Sequence, residues 1–225
     1  VLDRALDVRE NSFALSLRIK RCGGTIEQQV AVFSPPSSPV LYLERLVALK
    51  DVTVSEVLTG SIGLLNENRD GITPNARTVR RAGGEAVITG ESNEPASWLH
   101  WKTTWANVDN RLGVIGTTGA MVYYDNNDYV HARLEELLVP NRRENIGRVA
   151  KGSEMGVCAV AYVPNQRSVE TASSRLELAS VSRAVVAARF NRQTVVVNFG
   201  RKPAVQEVFG HRVTLKPMEA VIVGN

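Results

Sequence analysis

Apolar residues in this chain come in short, valine-rich runs, and nearly every run is closed by Gly, Asn, Asp or Pro. Valine alone fills 32 of the 225 positions, and β-branched side chains suit a pleated surface better than a helix. Runs this short, with turn residues between them, predict an all-β chain of antiparallel sheets rather than a parallel α/β sheet. A hydrophobic share of 44% with 22% charged residues excludes a disordered or coiled-coil chain. No apolar run approaches the ~20 residues a spanning helix needs, so no membrane span is expected.

Residues 13–20 (FALSLRIK) alternate with Phe13, Leu15, Leu17 and Ile19 on one face, a period-two strand. Gly23 and Gly24 turn the chain into residues 26–33 (IEQQVAVF), its antiparallel partner. Residues 34–39 (SPPSSP) lack three backbone donors and form a loop. Residues 40–65 read as two strands, although 41–49 also fits a short helix, and 66–84 reads as an exposed excursion. Further strands are expected at 85–89, 98–108, 112–115 and 120–124, whereas 129–139 (YVHARLEELLV) suits either a helix or a strand. The charged, glycine-containing stretch 141–152 (NRRENIGRVAKG) is the best internal boundary. It divides a larger antiparallel β-sandwich at 1–150 from a smaller C-terminal β-sheet subdomain at 151–225. Strands are expected there at 157–163, 175–178, 184–190, 194–199, 205–209, 213–215 and 220–223. The chain opens Val1-Leu2-Asp3 without Met, which reads as a piece of a longer chain.

The charge of +4 is spread along the sequence and is weak evidence for an anionic partner. Arg77, Arg80 and Arg81 form one basic cluster and Arg142, Arg143, Arg148 and Lys151 another. Either could pair with an acidic polysaccharide; with no recognition helix or RNA-binding aromatic signature beside them, no nucleic acid is expected. Cys22 and Cys158 are expected to be reduced and buried, and two distant Cys with three scattered His build no zinc motif. Phosphate-binding glycine loops and the G-x-S-x-G elbow are absent.

All three tryptophans, Trp98, Trp101 and Trp105, fall within one stretch (WLHWKTTW). On a single strand, Trp101, Trp105, Asn107 and Asp109 share a face. An indole flanked by amide and carboxylate is suited to a sugar, whose C–H face packs on the ring while its hydroxyls bond the polar groups. The alternative is that these indoles fill a sandwich core; Trp98 is the member expected to be exposed. A second oxygen-rich segment, 123–129 (YYDNNDY), offers Asp125, Asn127 and Asp128 to a hard cation such as calcium, or simply builds a tight turn. No other cofactor is expected.

Residues 105–115 (WANVDNRLGVI) resemble a segment of β-sandwich domains attached to bacterial glycoside hydrolases and polysaccharide lyases, in which an aromatic-led strand runs through an Asn/Asp turn into an apolar strand. Residues 194–199 (TVVVNF) and 210–220 (GHRVTLKPMEA) are similar to the closing sheet of such enzymes. The resemblance implies the C-terminal, all-β part of a carbohydrate-active enzyme, with its catalytic domain N-terminal to this chain and a polysaccharide or oligosaccharide as ligand. It favours an extracellular or periplasmic location and transfers no catalytic residue. Two other readings stay open: a non-enzymatic secreted structural or assembly sandwich, and a complete lyase-like domain using Tyr123, Tyr124, His100 or His131 for proton transfer.

Overall fold

The computed structural model describes residues 1–35, 39–54, 57–65, 77–88, 97–110, 112–125, 131–139, 147–164, 169–173 and 175–223. Antiparallel strands dominate them, as the valine-rich runs require. The chain forms β1 (Asp3–Arg9), β2 (Ser12–Arg21), β3 (Ile26–Ser34), β4 (Val40–Ala48), β5 (Val52–Val54), β6 (Val57–Leu65) and β7 (Arg77–Arg81). Then follow β8 (Gly84–Ile88), β9 (Ser97–Trp101), β10 (Trp105–Val108), β11 (Leu112–Gly116), β12 (Met121–Asp125), β13 (His131–Val139), β14 (Gly147–Val149) and β15 (Glu154–Pro164). A one-turn helix α1 (Val169–Ser173) leads into β16 (Leu176–Ser180), β17 (Val185–Phe190), β18 (Gln193–Asn198), β19 (Ala204–Val208), β20 (His211–Leu215) and β21 (Ala220–Val223).

A nine-stranded sheet in the order β1-β2-β3-β4-β15-β11-β10-β7-β8 forms the backbone of the fold. Four-stranded sheets lie on both of its faces, β16-β17-β18-β21 on one and β6-β13-β12-β9 on the other, and the β19-β20 hairpin caps the C-terminal sheet. Alternation of side chains along each strand sends them to opposite layers. Leu41 and Leu43 of β4, Trp105 of β10 and Ala159 and Ala161 of β15 join Val195, Val197 and Phe190 in the first core. Ala106, Val108, Cys158 and Val160 point the other way, into a second core with Trp101, Met121 and Tyr123. A third core, built on Val185, Ala187, Val196 and Leu215, lies under the terminal hairpin. β18 therefore feeds two cores from opposite faces, which is why its sequence reads as an unbroken apolar run rather than an alternating one.

Several sequence expectations change in three dimensions. Residues 41–49 and 129–139 are strands where described, not helices, because β4 and β13 each pair on both sides. Residues 40–65 hold three strands rather than two. The latter part of the expected excursion, 77–84, forms β7 and opens β8 at the sheet edge, while 66–76 lie outside the described residues. β2 buries Ala14, Ser16 and Arg18 and leaves Leu15, Leu17 and Ile19 half-exposed on its other face. The Ser16 hydroxyl donates to the Met218 carbonyl in the turn that leads into β21. Neither cysteine is in a disulfide; Cys158 is buried and Cys22 exposed rather than buried. Cys22 opens the turn that Gly23 and Gly24 carry through positive φ.

β15 opens the 151–225 segment yet lies between β4 and β11 in the nine-stranded sheet. Limited proteolysis is still expected to cut the charged 141–152 stretch first. The two fragments should then co-elute under native conditions and separate only in denaturant, since β15 holds two ladders with the earlier strands. First cleavage within 66–84 would remove that boundary.

Candidate functional site

Thr103 decides the fate of the tryptophan segment. Its hydroxyl donates to the Trp105 carbonyl at 2.6 Å and accepts from the Trp105 and Ala82 amides, each at 3.3 Å. A hydroxyl that bonds local backbone competes with a ladder, and the expected single strand over 98–108 is broken into β9 and β10, which belong to different sheets. Trp101 stacks on Tyr123 with ring centroids 5.8 Å apart in the second core. The Arg81 guanidinium lies 5.4 Å from its ring centre. Trp105 lies in the first core, across the nine-stranded sheet. Both indoles are buried, and the two do not share a face.

The polar members of the set fall nearby. Asn107 pairs with Gly113 on one side and Arg80 on the other and is 1% exposed. Neither its amide nitrogen nor its oxygen has a hydrogen-bond partner among the described residues. Asp109 begins the β10–β11 turn with Asn110, both at positive φ (50° and 57°), a conformation Asp and Asn tolerate better than most residues. Its carboxylate accepts from the Thr78 amide at 2.8 Å and its own amide donates to the Thr78 carbonyl, so it clamps the turn onto β7. Trp98 lies on β9, an edge strand paired to β12. Asp125 ends β12, and Asn127 and Asp128 lie outside the described residues. Of the proton-transfer candidates, Tyr123 is fully buried and His100 exposed.

The ionisable residues that the structure does gather were not singled out by sequence. Arg18 binds Glu27 through two hydrogen bonds of 2.8 and 3.1 Å and reaches Asp3 at 3.0 Å. Gln29 adds a 2.7 Å donation to Glu27. Burial pushes the Glu27 carboxyl upward, but the Arg18 and Gln29 hydrogen bonds outweigh it and hold it below the ordinary glutamate value. The bond to Glu27 raises Arg18 in turn. Arg45, 1% exposed, fans its guanidinium to the Arg183 and Ser182 carbonyls, the Ser180 hydroxyl and Glu154, all at 2.7–2.8 Å. It thereby ties β4 to the β16–β17 turn and floors a cleft of about 420 Å³ with Lys151, Glu154 and Arg183 on its walls. On the opposite face, the nearly buried Glu44 carboxyl receives Gln28, Tyr42 and Thr59, and burial raises its pKa and that of Tyr42. A linear sequence carries no signal for these groups, because their partners depend on register.

No protein-family model matches the chain, and no curated protein matches it. Among solved structures, the galactosidase domain of alpha-galactosidase-sucrose kinase, AgaSK, superposes with a TM-score of 0.46 at 9% identity, covering 75% of this chain and 26% of that one. The Slr1438 protein from Synechocystis sp. PCC 6803 superposes with a TM-score of 0.40 at 15% identity, covering 72% of this chain and 64% of that one. The chain thus spans less than two thirds of either. The first is a distant structural resemblance to a domain of a carbohydrate-active enzyme, and neither superposition transfers a site residue or an activity.

Proposed function

We propose that the chain is the β-sandwich portion of a carbohydrate-active enzyme, supporting the catalytic domain and lending a wall to its glycan cleft. The observation that carries this reading is how the resembling segments fold. Within 105–115, Trp105–Val108 and the strand from Leu112 form the β10–β11 hairpin, turned at Asp109-Asn110. Residues 194–199 and 210–220 supply β18, the Gly210-turned β20 and the step into β21, where Glu219 accepts from the Lys216 amide. Trp101 and Trp105 serve the scaffold from inside two cores. Glycan contact is assigned to Trp98, on the edge strand β9, with calcium binding at Asp125, Asn127 and Asp128 as an accessory property.

Titration of tryptophan fluorescence with a panel of soluble oligosaccharides tests this. Stacking on one indole gains about 25 cal/mol per Å² of apolar area, offset by ligand ordering. Roughly millimolar binding, about 4 kcal/mol, is therefore expected. Trp98→Ala should abolish the response while preserving the far-UV spectrum. A panel in which no glycan perturbs the wild-type emission would sink the glycan assignment.

A further inference from the structure

Five large apolar side chains are prominently exposed among the described residues, and four of them gather at one place. Val1, Leu2, Leu6 and Val8, 40–78% exposed, lie on or just before β1, whereas Val205 stands apart on β19. Among the described residues, β1 is an edge of the nine-stranded sheet and pairs only with β2, so one side of its seven-residue ladder is open. On the face turned away from the C-terminal sheet, Leu6 and Val8 continue into Leu15 and Phe13 of β2, directly opposite them. Long edges with exposed apolar residues are templates for a further strand. Soluble chains rarely leave such patches uncovered without a partner.

The charges along the strand specify which partner fits. In an antiparallel, twofold pairing of β1 with a second β1, residues directly opposite share a sheet face, so the axis passes through one residue. An axis at Arg4 sets Arg4 against itself, one at Ala5 sets Asp3 against Asp7, and one at Asp7 sets Asp7 against itself. An axis at Val8 also sets Asp7 opposite Arg9, but it uses only three residues of the strand before the pairing runs past its end to Glu10. An axis at Leu6 uses the whole strand Asp3–Arg9. It places Asp3 opposite Arg9 twice, Arg4 beside Val8, Ala5 beside Asp7, and Leu6 against Leu6. Like charges directly opposite are destabilising and opposite charges stabilising, so among these registers the Leu6-centred one pairs opposite charges while using the whole strand. We infer that β1 pairs edge to edge with β1 of a second copy of this chain, Leu6 lying on the twofold axis, to give one continuous sheet across a homodimer.

Sedimentation velocity of the 225-residue chain from about 1 to 100 µM tests the association. A shift from monomer to dimer across that range is expected. Arg9→Glu, which sets a second carboxylate against Asp3 at both ends, should weaken it about tenfold or more, and Asp3→Lys/Arg9→Glu should restore it. In a Cys22→Ser background, Leu6→Cys should cross-link readily on mild oxidation, because paired Cα atoms are ~4.5–5.5 Å apart. Val8→Cys should not, since the two copies lie four residues apart along the strand, about 13 Å. A chain that stays monomeric throughout overturns the inference and leaves the edge to another occupant. So does a dimer indifferent to Arg9→Glu, or one in which Val8→Cys cross-links as well as Leu6→Cys.

Discussion

Arg18→Met is expected to cost about 3–5 kcal/mol at neutral pH, because it strands a buried carboxylate. Glu27 is as enclosed as its partner, with side-chain exposures of 9% and 8%, and would keep the Gln29 hydrogen bond and the charge of Arg201. Asp3 matters less, since at 44% exposure water screens it. The double variant Arg18→Met/Glu27→Leu should regain most of the loss, because it removes the uncompensated charge along with the pair. The pH dependence follows from the direction of the Glu27 shift. In the wild type its carboxyl is held below the ordinary value, so the folded chain binds fewer protons than the unfolded one. The pair's contribution is complete above the ordinary glutamate pKa and is lost as pH falls through the folded value. Without Arg18, burial is opposed only by the Gln29 hydrogen bond and the charge of Arg201, which moves Glu27 toward its neutral form. The gap between variant and wild type in urea melts should therefore be widest at pH 7 and narrow below about pH 4. An equal gap at both pH values would mean that packing, not charge, is what Arg18 supplies.

Trp105→Ala should be as damaging, by roughly 3–5 kcal/mol, since a large ring leaves the core between the nine-stranded and C-terminal sheets. Trp105→Phe should recover a large part of it. The comparison with Trp98→Ala separates the two roles read from this segment. One substitution opens a cavity between layers and shows in the denaturation midpoint; the other is expected to show only in glycan binding. A Trp105→Ala variant as stable as the wild type would remove the indole from the core.

Local pattern carried the strands whose burial is simple. The β19–β20 hairpin has Phe209-Gly210 in its two-residue turn at φ 48° and 82°; the Gly between two short apolar runs signalled it in advance. β17 and β18 were legible because both faces of each are buried. What the sequence could not display is which face meets which layer. Leu15, Leu17 and Ile19 look like the core side of β2, yet the C-terminal sheet packs on Ala14 and Ser16, where small side chains let it approach. The break at Thr103 rests on hydroxyl bonds to the Trp105 backbone two positions on, joined by the Ala82 amide twenty-one positions away, and a threonine by itself does not mark such a turn in the sequence. The Arg18–Glu27 pair rests on β2–β3 register, in which Arg18 stands opposite Gln29 and diagonal to Glu27. The one-turn helix α1 is too short for a periodic signal, although Val169 fills the space above Gly113 so closely that a Cβ there would collide with its side chain.

The division of the tryptophan cluster between two faces of one sheet is the feature on which the scaffold reading depends. Methyl–aromatic NOE spectroscopy on isoleucine-, leucine- and valine-methyl-labelled protein reads it directly. Trp101 is expected to show contacts to the Tyr123 ring and to methyls of the second core, such as Val108, Val114 and Val160. Trp105 is expected to show contacts to a separate set drawn from Leu41, Leu43, Ile115 and the C-terminal sheet. A single shared set of contacts for both indoles, or none for either, would contradict the layered arrangement and return the three rings to one surface.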